Sequence, residues 1–203
     1  MGLQQVVVEP GCRKPGRPRS ERAEQAMLQA TLELLASHGV HGFGMETVAG
    51  AAGVAKTTVY RRWPNKEELI LDALVHLKGE PALPPGDSVR GDLIAMLRRL
   101  RDQPHKDFAV RITPRIVAER ECCPELVAQF RDRIVRPRRQ IFAAVLQRGI
   151  DEGVIRRGAD IELATDLLTS SLLSCHVSRA QAYSDAELDF FVDTVLAGLS
   201  PRP

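Results

Sequence analysis

The stretch from Gly44 to Leu71, GMETVAGAAGVAKTTVYRRWPNKEELIL, constrains the fold more than any other part of the chain. Met45, Val48, Ala49 and Ala52 recur at helical spacing and give a short helix one apolar face. Gly53 then ends it, because glycine takes the left-handed C-terminal conformation without strain. A second helix has to start almost at once. It runs from about Lys56 to Arg62, and Pro64 stops it by pushing the preceding residue out of the helical region. Two short helices joined by about three residues, with glycine at the corner, make a helix-turn-helix whose second helix enters the DNA major groove.

The second helix carries the chemistry that such a role needs. Val54 and Val59 can anchor it inward, leaving Lys56, Thr57, Thr58, Tyr60, Arg61 and Arg62 to face out. Lysine, threonine, tyrosine and arginine are the donors used on phosphates and base edges. A solvated basic surface helix would show the same residue types, but the corner glycine, the proline stop and the following helix start agree on a reader. In that next start Asn65 is the expected cap, Glu68 completes a capping box, and Leu69, Ile70, Ala73, Leu74 and Leu77 form an apolar stripe. The expected roles are base-edge contacts from Lys56, Thr57 and Thr58, with Arg61 a base or phosphate donor. Tyr60 and Lys66 would position the DNA backbone, Lys66 acting from the first turn of its helix beside the terminal amides.

From about Ala26 to Ala73 the chain resembles the tetracycline-repressor (TetR) family of bacterial transcription regulators. The resemblance is densest in AlaGlyVal at Ala52 to Val54, ThrValTyr at Thr58 to Tyr60 and ProAsnLysGluGluLeu at Pro64 to Leu69. Each piece is weak alone; the ordered set is specific. Two positions depart from the family's pattern: Gly44 and Ala55 stand where serine or threonine usually caps the two motif helices. A lost side-chain cap costs about 1 kcal/mol to alanine and a few tenths to glycine, so the fold is expected to survive. The resemblance implies an all-α protein with an N-terminal three-helix helix-turn-helix DNA-binding domain and a C-terminal helical ligand-sensing and dimerisation domain. It further implies a homodimer joined through the last two helices of each subunit, and a small molecule that moves the helix beginning at Lys66. Repression is the family's usual mode.

The rest of the chain fits that frame. Residues 1–19 are expected to be a flexible basic arm, in which Gly16-Arg17-Pro18 resembles the core of an AT-hook. Arg17 and Arg19 would then enter an A·T-rich minor groove, unless the arm only solubilises. Residues 20–78 form the expected DNA-binding domain, opened by a first helix from Ser20 to about His38 with Met27, Leu28, Ala30, Thr31, Leu34 and Leu35 inward. GEPALPPGD, residues 79–87, reads as a linker. Residues 88–203 form the expected ligand-binding and dimerisation domain.

Within that second domain, helices are expected over 88–103, over 105–121 kinked or broken at Pro114, and over 124–152 bent at Pro137. From Ile161 to Val177 apolar residues surround the helix, so both sides need cover. A final helix opens with a Ser184–Glu187 capping box and carries Leu188, Phe191, Val192, Val195 and Leu199. A two-fold dimer covers both helices simply, and suits a palindromic operator on double-stranded DNA whose half-sites lie about 34 Å apart. Candidate effector-pocket residues are Phe108, Ile112, Phe130, Ile134, Leu168, Ser171, Cys175 and His176, which serve equally as core.

Composition excludes little but agrees. A charge of +2 is near neutral, so the basic charge that DNA would meet is local, in the arm and in the motif. No apolar run approaches the roughly 18 residues of a membrane span, and no signal peptide is visible, so no membrane partner and a cytoplasmic location are expected. Cys12, Cys122, Cys123 and Cys175 lack CxxC spacing and read as reduced thiols; the vicinal pair could sense oxidants or soft metals only if exposed and ionised. Gly39 breaks the helix between His38 and His41, so no metal site and no cofactor are expected.

Two rival classes fall short. GAAGVAKT, residues 50–57, is one residue short of a phosphate-binding loop and has Ala55 in place of its second glycine, so an NTPase lacks its cradle and catalysis has no visible carrier. A ligand-blind DNA organiser would not need so large a C-terminal domain.

Overall fold

A computed structural model describes residues 17–102, 106–178 and 182–201; for 17–20, 106–110 and 171–178 the backbone alone is described. Among these residues the chain is helical, without strands: α1 (Arg17–His38), α2 (Met45–Ala51), α3 (Lys56–Arg62), α4 (Lys66–Lys78), α5 (Val89–Arg101), α6 (Lys106–Ala118), α7 (Pro124–Phe130), a π-helical turn (Arg131–Val135), α8 (Arg136–Asp151), α9 (Ile161–Ser178) and α10 (Asp185–Leu199). No helix among them is long and apolar enough to cross a membrane.

The first helix starts earlier than its sequence suggests. Ser20 lies inside α1, which begins at Arg17, with Pro18 in the first turn where a missing N–H costs nothing. The backbone of Arg17 and Arg19 is therefore helical and not the extended strand that an AT-hook core requires; their side chains, and residues 1–16, lie outside the described residues. At its other end α1 stops where Gly39 turns left-handed, φ 73°.

The centre of the molecule is α4. Leu69, Ile70, Leu71, Ala73 and Leu74 are all buried, which no one-sided helix allows. Packing explains it: α1 covers one side, and α7 with the π-helical turn covers another. The resulting core joins Met27, Leu35, Val48, Val59 and Leu69 of the N-terminal helices to Ile112, Ile116, Leu126, Phe130 and Ile134. A second core collects Leu93, Leu97, Phe142, Leu146, Leu168, Leu188 and Val192 from α5, α8, α9 and α10. The apolar interior of the DNA-binding unit thus runs past the linker into residues 112–134.

The long helix expected over 124–152 is interrupted. Pro137 cannot donate a backbone hydrogen bond, and the chain widens into a π-helical turn just before it. That turn presents Arg133, whose guanidinium donates to Glu68 at 2.9 Å and to Asp72 at 2.6 Å on α4. Asn65 does cap α4, accepting from the Glu68 N–H at 2.8 Å, but the Glu68 carboxylate goes to Arg133 and the other half of the expected capping box is not formed. The Ser184–Glu187 box of α10 closes in both directions.

Residues 79–87 are non-helical and are held by a buried carboxylate. Asp92, 1% exposed, accepts from the Gly86 N–H at 2.9 Å and from Arg148 of α8 at 2.5 Å. Linker, α5 and α8 meet at this one side chain. Removing it leaves the Gly86 N–H without its acceptor and the half-buried Arg148 guanidinium with Glu152 alone beside it. Asp92→Ala is expected to lower the unfolding free energy by about 2–3 kcal/mol in urea titration, with an unchanged slope.

Candidate nucleic-acid interface

The motif is built from local signals. In α2, Met45, Val48 and Ala49 are buried, and Thr47 reaches back to accept from the Gly44 N–H at 3.4 Å, while no side chain caps the first-turn N–H groups. Gly53 turns with φ 65°, and α3 starts at Lys56 behind Ala55, which offers no side-chain cap. Val59 is fully buried beneath α3. Lys56, Thr57, Tyr60 and Arg61 are exposed, and Thr58 is half-buried. The same segment excludes the phosphate-loop alternative, since helix and not strand precedes it.

Side chains on this face already have protein partners. Arg62 pairs with Glu24 of α1, tying the end of α3 to the first helix. Tyr60 donates to Glu46 at 3.1 Å, and this bond pushes its hydroxyl above the usual tyrosine range. A backbone hydrogen bond, and then the Tyr60 hydroxyl, hold the Glu46 carboxyl below the usual carboxylate range. Tyr60 reaches a phosphate only by exchanging that partner, because a carboxylate beside it repels the DNA backbone.

Lys66 differs most from expectation. Its ammonium turns inward, donating to the Val40 carbonyl at 2.8 Å and the Phe43 carbonyl at 3.4 Å, and stands 5.6 Å from the Phe43 ring centre. The loop between α1 and α2 leaves these carbonyls without helical partners, and a lysine in the first turn of α4 supplies the donor. Trp63, to which the sequence alone assigns no role, performs a related task. It is buried and donates from Nε1 to Asp72 at 2.9 Å, so the end of α3 is pinned to α4. Its signal is an aromatic residue four positions after Val59.

Lower on the same helix lies a cavity of about 500 Å³, lined by Leu77, Lys78, Met96, Leu100, Arg138, Ile141 and Phe142, with His76, Glu80, Arg99 and Asp102 around it. Burial, and then the Arg138 cation, bring the Lys78 ammonium down to about 8. Among the described residues neither cation forms an ion pair. Arg138 donates instead to the Ile134 carbonyl at 2.8 Å and to that of Gly79. Asp102 is taken up by Arg101 at 2.7 Å. The expected pocket residues do not meet here: Ile112, Phe130 and Ile134 are buried in the first core and Leu168 in the second. The side chains of Phe108, Ser171, Cys175 and His176 lie outside the described residues. Apolar periodicity marks core and cavity wall alike, so sequence could not separate them.

An outward basic helix in a helix-turn-helix, standing on a larger helical core, defines a DNA-binding regulator. Residues 27–73 match the family described as bacterial regulatory proteins, tetR family, and residues 83–195 match the tetracyclin repressor-like C-terminal domain. The chain belongs to the tetR family and is a helix-turn-helix transcriptional regulator. It is 30% identical over 194 residues to the uncharacterized HTH-type transcriptional regulator Rv1556 of Mycobacterium tuberculosis, across 95% of this chain and 93% of that one. It is also 30% identical to the DNA-binding transcriptional repressor TetR of Mycobacteroides abscessus, across 88% and 94% of the two chains. The solved regulator SCO0332 has a TM-score of 0.61 at 28% identity, covering 89% of this chain and all of its own. In fold alone, NalD, the secondary repressor of the MexAB-OprM multidrug efflux pump in Pseudomonas aeruginosa, is similar at a TM-score of 0.70 and 20% identity, covering 91% and 98% of the two chains.

The inward bonds of Lys66 make it a stability residue first. Lys66→Met keeps the alkyl chain and removes the donors. It is expected to cost about 1–3 kcal/mol by thermal or urea unfolding, because two loop carbonyls lose their partner. Unchanged stability would return Lys66 to the phosphate role.

Proposed function

We propose that the protein is a homodimeric repressor that leaves a palindromic operator when a small, mostly apolar anion enters the cavity at the end of α4. The observation that carries this reading is the position of α4 between two sites. Its N-terminal half holds the reading helix through the Trp63–Asp72 bond, and its last residue is Lys78 at the cavity. A carboxylate between Lys78 and Arg138 cancels their repulsion and draws the C-terminal end of α4 toward α8. Such a ligand releases DNA only if it binds the non-reading arrangement more tightly, since equal affinity shifts nothing. Repression is supported by the similar protein of Mycobacteroides abscessus that is named a repressor.

Two-fold assembly is supported by apolar surface left over on the last two helices. In α9, Ala164 and Leu168 face the second core while Leu163 and Leu167 stand exposed; in α10, Phe190 is 74% exposed beside buried Leu188. A second copy covers that surface and supplies the second reading helix. On DNA, Lys56, Thr57 and Thr58 contact base edges, and Arg61 contacts base or phosphate.

The reader is tested on an operator selected from random DNA. Lys56→Ala with Arg61→Ala is expected to weaken binding, and to reduce the slope of log affinity against log salt by about 1 for each phosphate that is no longer neutralised. An unchanged affinity and slope would reject α3 as the reader.

The effector is tested by operator release with a panel of small apolar carboxylates. The anion requires a protonated Lys78, so its affinity is full below pH 8 and declines as the pH rises through that value. Lys78→Met is expected to weaken the active carboxylate about tenfold or more and to abolish this decline. Release by neutral analogues with equal potency would contradict the anionic assignment.

A further inference from the structure

His41, Glu119 and Cys123 are far apart in the chain and meet at the junction between the reader and the helical core. His41 lies in the turn between α1 and α2. Glu119 and Cys123 lie in the connection from α6 to α7, where the Cys123 N–H donates to the Glu119 carbonyl at 2.7 Å and closes a tight turn. The His41 Nε2 is 2.9 Å from the Glu119 carboxylate and 4.0 Å from the Cys123 sulfur, and all three ligand atoms lie within 4.8 Å of one another. We infer that these three side chains form a binding site for one borderline divalent cation of the zinc class, shared by the reader and the core.

The ligand set selects that class. Hard magnesium and calcium take oxygen ligands, whereas zinc accepts imidazole nitrogen, carboxylate oxygen and thiolate sulfur together. Zinc holds nitrogen and oxygen at about 2.0–2.2 Å and sulfur at about 2.3 Å, so neighbouring ligand atoms in a tetrahedral site stand about 3.2–3.6 Å apart. The observed separations need only sub-ångström to ångström shifts on each side of that range. His41 is mostly exposed while Glu119 and Cys123 are half-buried, which gives the cation an entry side and leaves the fourth position to water. A hydrogen-bonded His41–Glu119 pair alone gives the thiol no task; the cation gives one to all three. Cys122, though adjacent in sequence, is outside the cluster.

The cation also carries a mechanical consequence. It ties the loop after α1 to the connection before α7, so metal binding stiffens the seam between the helices that present α3 and the core that holds the cavity. This assignment does not depend on the identity of any effector.

The test is a titration of the reduced, metal-free, full-length protein with cobalt(II), followed by zinc(II) competition. The expected result is one equivalent per chain, with a thiolate-to-cobalt charge-transfer band and tetrahedral ligand-field bands that zinc removes. Cys123→Ser is expected to lose the charge-transfer band and His41→Ala to weaken binding about tenfold or more, whereas Cys122→Ser keeps both. Zinc is expected to raise the unfolding temperature of the wild-type chain by more than that of His41→Ala, whose exposed position leaves the fold intact by circular dichroism. Absence of the band in the wild type, its persistence in Cys123→Ser, or its loss in Cys122→Ser would overturn the site. An equal thermal shift in wild type and His41→Ala would overturn the bridge.

Discussion

The burial of α4 on all sides is the constraint from which the rest follows. A helix whose Leu69, Ile70, Leu71 and Leu74 are all buried cannot belong to one small unit; it needs α1 on one side and the α7 region on another. Each of those side chains contributes about 1.5–3 kcal/mol by leaving water, so the two packings are not readily separated. The polar contacts on its borders point the same way. Trp63 and Arg133 both close on Asp72, one from the end of the reading helix and one from the π-helical turn.

This arrangement explains how a short reading helix is held and what sets its direction. α3 has only seven residues and buries one of them, so its stability is borrowed from Val59, Trp63 and the Arg62–Glu24 pair. Its direction is set by whatever sets α4. At the other end of α4, Lys78 and Arg138 are two cations beside a cavity without a carboxylate paired to either among the described residues. Their repulsion opposes close packing at that end. The helix that fixes the reader thus ends beside two cations, the site at which the proposed anionic effector would act on it.

Much of this was legible in the sequence, and the exceptions share a cause. The limits of α2, α3 and α4 follow from Gly53, Pro64 and Asn65, which act within a few residues of themselves. The same holds for the Ser184 cap and the stop at Gly39. What sequence missed depends on partners distant in the chain. Lys66 turned inward because of carbonyls 26 and 23 residues before it, and Glu68 left its capping box for an arginine 65 residues later. The cavity wall could not be told from the core, since both are written in the same apolar residues. His41 had no visible ligand partner until the fold carried Cys123, 82 residues away, to its side.

Methylation interference on the selected operator, combined with sedimentation equilibrium of the complex, tests the central claim most directly. Two chains per duplex are expected, with interference from methyl groups on guanine N7 in the major groove at two half-sites about one helical turn, or a multiple of it, apart. One chain per duplex, or interference confined to adenine N3 in the minor groove, would contradict it.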